Sequence, residues 1–165
     1  MSPSVDLSAE FATAQQRVRM LQQQPQAFPH PVDPMEPVEC VETHISWVLL
    51  AGDFAYKFKK PLQLDFLDFS TRALRHAACE EELRINRRTA PGLYLGVVGL
   101  VSDAAKDASA TLRVVPWQGA PSGAEPAVWM RRFDQESLFA TALDAHRVSP
   151  AQIDQLARHV AQFHA

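Results

Sequence analysis

No Cys-x-x-Cys pair occurs in the 165 residues, and the two cysteines, Cys40 and Cys79, stand far apart. That spacing argues against a disulfide framework and against a zinc site built on paired thiolates. Cys40 and His44 have the spacing of half a metal site, with no second pair to complete it. Basic charge is not in excess either: 16 lysines and arginines face 19 acidic residues, for a net charge of -3. A general nucleic-acid binder would carry the opposite balance, so any phosphate this chain handles must be met by a few local groups. Long apolar runs are missing as well. The first thirty residues carry Asp6 and Glu10 and no signal-type apolar core, and no segment approaches the roughly eighteen apolar residues of a membrane span. The expectation is a cytoplasmic protein with neither nucleic acid nor membrane as partner.

What is present suits one globular core, with 47% hydrophobic and 21% charged residues. Ser8 is a helix-cap candidate, and the glycine-free, proline-free run to Gln24 places Phe11, Ala14, Val18 and Leu21 on one apolar stripe. Five prolines follow at positions 25, 29, 31, 34 and 37; they forbid a helix and predict an extended tether. The domain boundary is expected there, with residues 1–37 as leading helix and tether and 38–165 as the main body. Residues 38–43, 45–50 and 54–59 are rich in β-branched and aromatic side chains, with Gly52-Asp53 as a turn, and predict three consecutive strands. In the third, alternation puts Phe54, Tyr56 and Phe58 on one face and Ala55, Lys57 and Lys59 on the other. Ser70-Thr71 caps a helix expected to reach about Thr89. Strands are expected over 93–102, 110–116 and 128–130, with a small-residue loop at 103–109, and two closing helices over 135–145 and 150–164.

This order sets a strand lysine, Lys57, beside a helix that carries Glu80-Glu81-Glu82. A carboxylate on the helix can hold such a lysine at the phosphates of a nucleotide. Read singly, each half has a plainer meaning: a solvated strand lysine and a wet glutamate face.

Several local sequences add a resemblance. Ala55-Tyr56-Lys57 after Phe54 looks like the Val-Ala-Ile-Lys motif of protein-kinase-like folds. The blocks Val41-Glu42-Thr43-His44-Ile45-Ser46-Trp47-Val48, Gly52-Asp53-Phe54-Ala55-Tyr56-Lys57-Phe58-Lys59-Lys60-Pro61, Phe66-Leu67-Asp68-Phe69-Ser70-Thr71, Cys79-Glu80-Glu81-Glu82-Leu83-Arg84-Ile85-Asn86-Arg87-Arg88 and Ala90-Pro91-Gly92-Leu93-Tyr94-Leu95 follow in order. Together they resemble the start of the aminoglycoside-phosphotransferase-like domain of bacterial proteins that join it to a C-terminal P-loop ATP-binding domain. The resemblance implies an α+β fold: a protein-kinase-like N-terminal lobe with a five-stranded antiparallel sheet, one long packed helix, and helices at both ends. It implies ATP and Mg2+ as cofactors. Lys57 takes the place of the phosphate-contacting lysine, with Glu82 favoured as its partner and Glu81 next. The turn through His44 and Ser46 takes the place of the nucleotide-covering loop, although it lacks glycine. Backbone groups around Met130 to Arg132 take the place of the hinge that receives adenine.

A complete phosphotransferase also needs a His-x-Asp-x-x-x-x-Asn loop and a later metal-binding aspartate. Neither occurs here: His146 precedes Arg147-Val148, and His159 precedes Val160-Ala161. The P-loop pattern GxxxxGK[ST] is absent too. Two functions compete. One is the small lobe of a truncated or incomplete phosphotransferase, inactive as this chain alone unless a second chain supplies the missing lobe. The other is a non-catalytic nucleotide- or partner-binding module on the same scaffold.

Overall fold

In the computed structural model, which describes residues 6–103 and 111–164, helix α1 spans Leu7–Gln22. Its cap is Asp6 rather than Ser8: Oδ1 accepts from the N–H groups of Ser8 and Ala9 at 3.1 and 3.2 Å. A carboxylate here satisfies orphan donors and faces the positive helix end, which a neutral hydroxyl does less well. Ala14, Val18 and Leu21 are buried, and Phe11 packs beside them at 5.2 Å from the Trp47 ring.

The proline-rich segment is a packed strap, not a tether. Residues Pro25–Ala27 form a single 3-10 turn, Ala27 and Phe28 are buried, and Phe28 lies 5.0 Å from the Tyr56 ring. His30 follows at 4.6 Å from Phe54. The prolines bar a helix, yet the apolar side chains between them still gain by leaving water. No break therefore falls at residue 37; the chain divides into two compact units between Arg132 and Phe133.

Strands β1 (Glu39–Glu42), β2 (Ser46–Ala51) and β3 (Phe54–Lys59) form a meander. The turn into β3 has only Gly52 and Asp53 between the paired Ala51 and Phe54, and Gly52 takes a φ of 54°, the left-handed region that favours glycine. A two-stranded ribbon, β4 (Gln63–Leu64) and β5 (Leu67–Asp68), leads to helix α2 (Arg72–Asn86). Thr71 caps it, Oγ1 accepting from Leu74 N–H at 3.3 Å. Strands β6 (Tyr94–Asp103), β7 (Thr111–Pro116) and β8 (Glu125–Arg131) complete the sheet, whose order is β1-β2-β3-β8-β6-β7. All neighbours are antiparallel. There are six strands, one for each segment expected from the residue pattern and one more than the five-stranded sheet that the resemblance implies; β8 is longer than the expected 128–130 and inserts between β3 and β6. Its ladder with β3 stops at Phe58 and Ala127, where Pro126 has no N–H to offer. The loop expected over 103–109 lies, Asp103 apart, outside the described residues.

The fold is α+β, with α1 and the strap on one face of the sheet and α2 on the other. Arg75, wholly buried on α2, fastens these layers together. Its guanidinium donates to both Glu125 oxygens on β8, the Nη2 contact being 2.9 Å, to Glu10 on α1 at 2.9 Å, and to the Phe69 carbonyl at 2.9 Å. The second unit holds a 3-10 turn (Gln135–Ser137), α3 (Phe139–Asp144) and α4 (Pro150–His164). The helix expected over 135–145 is thus split, since Leu138 adopts an extended backbone between turn and helix. Among the described residues no helix is long and apolar enough to cross a membrane.

Removing Arg75 strands Glu125 in the interior. Arg75→Met is expected to cost about 3–5 kcal/mol in urea denaturation. Glu10→Gln, at a partly exposed carboxylate, is expected to cost about 1 kcal/mol or less. Equal midpoints for Arg75→Met and the parent would contradict this account.

Candidate functional site

Alternation along β3 decides what can meet α2. Phe54, Tyr56 and Phe58 join the core beneath α1, while Ala55, Lys57 and Lys59 turn to the opposite face. Lys57 Nζ donates to Glu82 Oε1 at 2.7 Å, and Lys59 Nζ donates to Glu82 Oε2. One carboxylate on α2 thus lies between two ammonium groups on one strand. Asn86, one turn on, donates from Nδ2 to the backbone carbonyl of Glu82 at 2.9 Å. The lysines differ in access: the Lys57 side chain is 27% exposed and that of Lys59 only 5%, with Glu82 at 13%. Lys59 lies in addition 5.6 Å from the centre of the Phe69 ring.

Burial alone opposes ionisation of Glu82, and it is the largest single influence on its carboxyl. The hydrogen bonds and charges of Lys57 and Lys59 together outweigh it and hold the pKa below the ordinary carboxylate value. Cys79, one turn earlier on α2, has its thiol pushed up to about 12 by burial and stays protonated at neutral pH. Next to the charges lies a small apolar cluster of Leu50, Ala55, Cys79, Val128 and Met130, with Val48, Tyr94 and Val97 against it.

The other expected site residues fall in different places. Glu81 is exposed and pairs with Arg84 at 2.6 Å, since one residue along a helix turns a side chain by about 100°. His44 is exposed at the tip of the β1–β2 hairpin. Ser46 is cross-strand partner to Lys59 and shares its face. Its N–H donates to Thr43 Oγ1 at 3.0 Å, while its own hydroxyl is buried without a partner. The Met130 side chain is buried in the apolar cluster, and its backbone sits in ladders to Ala55 and Tyr94. The expected adenine-receiving amides are already committed: Arg131 N–H donates to Leu93 O at 2.9 Å and Arg132 N–H to Asp53 O at 2.8 Å. β8 is an internal strand, so both of its edges are used.

Lys59 is the site residue that the motif-based reading passed over. The signal was its two-residue spacing from Lys57, which fixes a shared face. Among the described residues no group of three His, Cys, Asp or Glu side chains is placed to hold a metal ion. A cleft of about 430 Å³ opens elsewhere, at the start of β6, lined by Pro29, Leu83, Arg87, Gly96, Trp117 and Trp129. Lys57 and Glu82 do not line this cleft.

The chain is 37% identical over 137 residues to uncharacterized proteins of Mycobacterium bovis and Mycobacterium tuberculosis. The match takes in 82% of this chain and 24% of each relative, so the chain spans about a quarter of the length of the curated relatives it matches. No protein-family model and no solved structure matches it.

The lowered pKa of Glu82 gives stability a defined pH dependence. With the folded-state value below the ordinary 4.5, ionised Glu82 contributes fully above that pH, and the contribution is lost as pH falls through the folded-state value. Glu82→Gln is expected to destabilise the protein by about 3–5 kcal/mol at pH 7, because buried Lys59 loses its counter-ion. The gap from the parent is expected to narrow below about pH 4. Urea denaturation across pH checks both, and a gap independent of pH would contradict the assignment.

Proposed function

We propose that this chain is a nucleotide-binding module, a protein-kinase-like small lobe in which Lys57 contacts the phosphates of ATP and Glu82 orients Lys57. The observation that carries the reading is the 2.7 Å contact between Lys57 and Glu82. A strand lysine free to swing would lose rotamer entropy on meeting phosphate; one already held by a helix carboxylate loses less. Lys57 is also the more exposed lysine of the cluster, so an incoming anion meets it first. Val48, the partly buried cross-strand partner of Lys57, stands in front of the buried Ala55 and Met130, an apolar patch of the kind a purine ring covers.

Binding, not turnover, is the role assigned to this chain. Phosphoryl transfer needs charge stabilisation by metal ions and a group to orient the acceptor hydroxyl, and the sequence carries no His-x-Asp-x-x-x-x-Asn loop to supply them. Transfer to a small-molecule hydroxyl, as the resemblance suggests, then falls to other parts of a longer protein or to a second chain. The free thiols of Cys40 and Cys79 suit the reducing cytoplasm.

A thermal-shift titration tests the reading. At about a hundredfold excess over Kd, Mg-ATP is expected to raise the melting temperature by roughly 5–10 °C. Lys57→Met is expected to melt cooperatively without that rise. No rise in the parent, or the same rise in Lys57→Met, would count against it.

A further inference from the structure

We propose that Lys59 is a positioning residue, a permanent counter-ion to Glu82 that leaves the positive charge of Lys57 available to an anionic ligand. The inference rests on the nucleotide reading for its consequence, and on the geometry of three side chains for its premise. In an isolated lysine–glutamate pair the two charges cancel, and phosphate approaching the lysine also approaches the carboxylate. Here the sum is different. Glu82 offers one oxygen to each lysine, so two positive charges meet one negative charge.

The surrounding charges leave that excess in place. Lys60 turns away to Glu42 at 2.7 Å and the Thr43 carbonyl at 2.5 Å. Glu125, the other buried carboxylate near Cys79, is engaged by Arg75 and by Arg72 at 3.4 Å. Cys79, held protonated, and Tyr94, whose hydroxyl burial pushes further from ionisation, add no charge near neutral pH. Access divides the labour between the lysines. Lys59 is nearly inaccessible and cannot reach a ligand without leaving Glu82, whereas Lys57 is open on one side. Burial also strengthens the Lys59–Glu82 attraction relative to one at the surface. When Lys57 turns part of its hydrogen bonding to phosphate, Glu82 keeps a partner and does not become a lone buried anion. The orphaned Ser46 hydroxyl, across the ladder from Lys59, is a spare polar group on the same face.

The test uses sodium tripolyphosphate as probe, calorimetry for affinity, and carbon-detected NMR for the Glu82 carboxyl. In Lys59→Met, with Lys57 intact, tripolyphosphate affinity is expected to fall at least tenfold, and the Glu82 midpoint to rise by about one pH unit or more. Lys59→Arg keeps a positive charge beside Glu82 and is expected to bind within about threefold of the parent with the Glu82 midpoint unmoved, a rescue that lost packing alone would not give. Parent-like affinity in Lys59→Met would overturn the proposal, as would a tenfold deficit in Lys59→Arg with a parent-like Glu82 midpoint. If Lys59→Met does not fold, Lys59→Gln, which removes the charge and keeps a polar side chain, carries the test with the same expected losses. If the parent binds no tripolyphosphate, the nucleotide reading fails, and the Glu82 midpoint then decides the role of Lys59: a rise in Lys59→Met supports it, and an unmoved midpoint overturns it.

Discussion

Helix α2 carries two charges onto the sheet, the buried Arg75 and the partly buried Glu82, and each finds its partners on other elements. Taking such groups out of water costs several kcal/mol apiece, and only one seating of the helix offsets both costs. A one-residue rotation would swing Glu82 by about 100°, away from Lys57 and Lys59, and Arg75 away from Glu125. Near the other end of the helix, the Arg87 guanidinium donates to the carbonyls of Tyr94 and Leu95. These three fastenings fix the height and rotation of α2 over β3, β8 and β6. Apolar contacts through Cys79 and Leu83 would tolerate some sliding; the charges do not.

That seating gives Lys57 its setting. The lysine is held on one side by a carboxylate that burial would keep neutral and that two ammonium groups keep ionised. The arrangement resembles a tuned binding group more than a stabilising ion pair, since a well-packed apolar trio would hold α2 with less desolvation. Retaining two lysines for one glutamate makes sense where an external anion completes the charge balance.

Local patterns made part of this legible in the sequence. Alternation in β3 placed Lys57 and Lys59 on one face, and helical rotation separated Glu82 from Glu81 once a partner strand was in view. The packed strap was hidden because proline content speaks to what the backbone cannot do, whereas Ala27 and Phe28 decided where it went. Arg75 was hidden for another reason: its partners Glu125 and Glu10 stand 50 and 65 positions away, and no periodicity links residues so distant. That the Arg131 and Arg132 N–H groups are taken up within the chain was hidden because strand order, which places β8 inside the sheet, is a tertiary property. Lys59 was placed on the right face but given no role, since a charge count needs the distances.

The most direct test is amide and methyl chemical-shift mapping of the full chain with Mg-ATP. The account predicts the largest changes around Val48, Lys57, Glu82 and Met130. Changes centred on the cleft of Trp117 and Trp129, or none at saturating nucleotide, would contradict it.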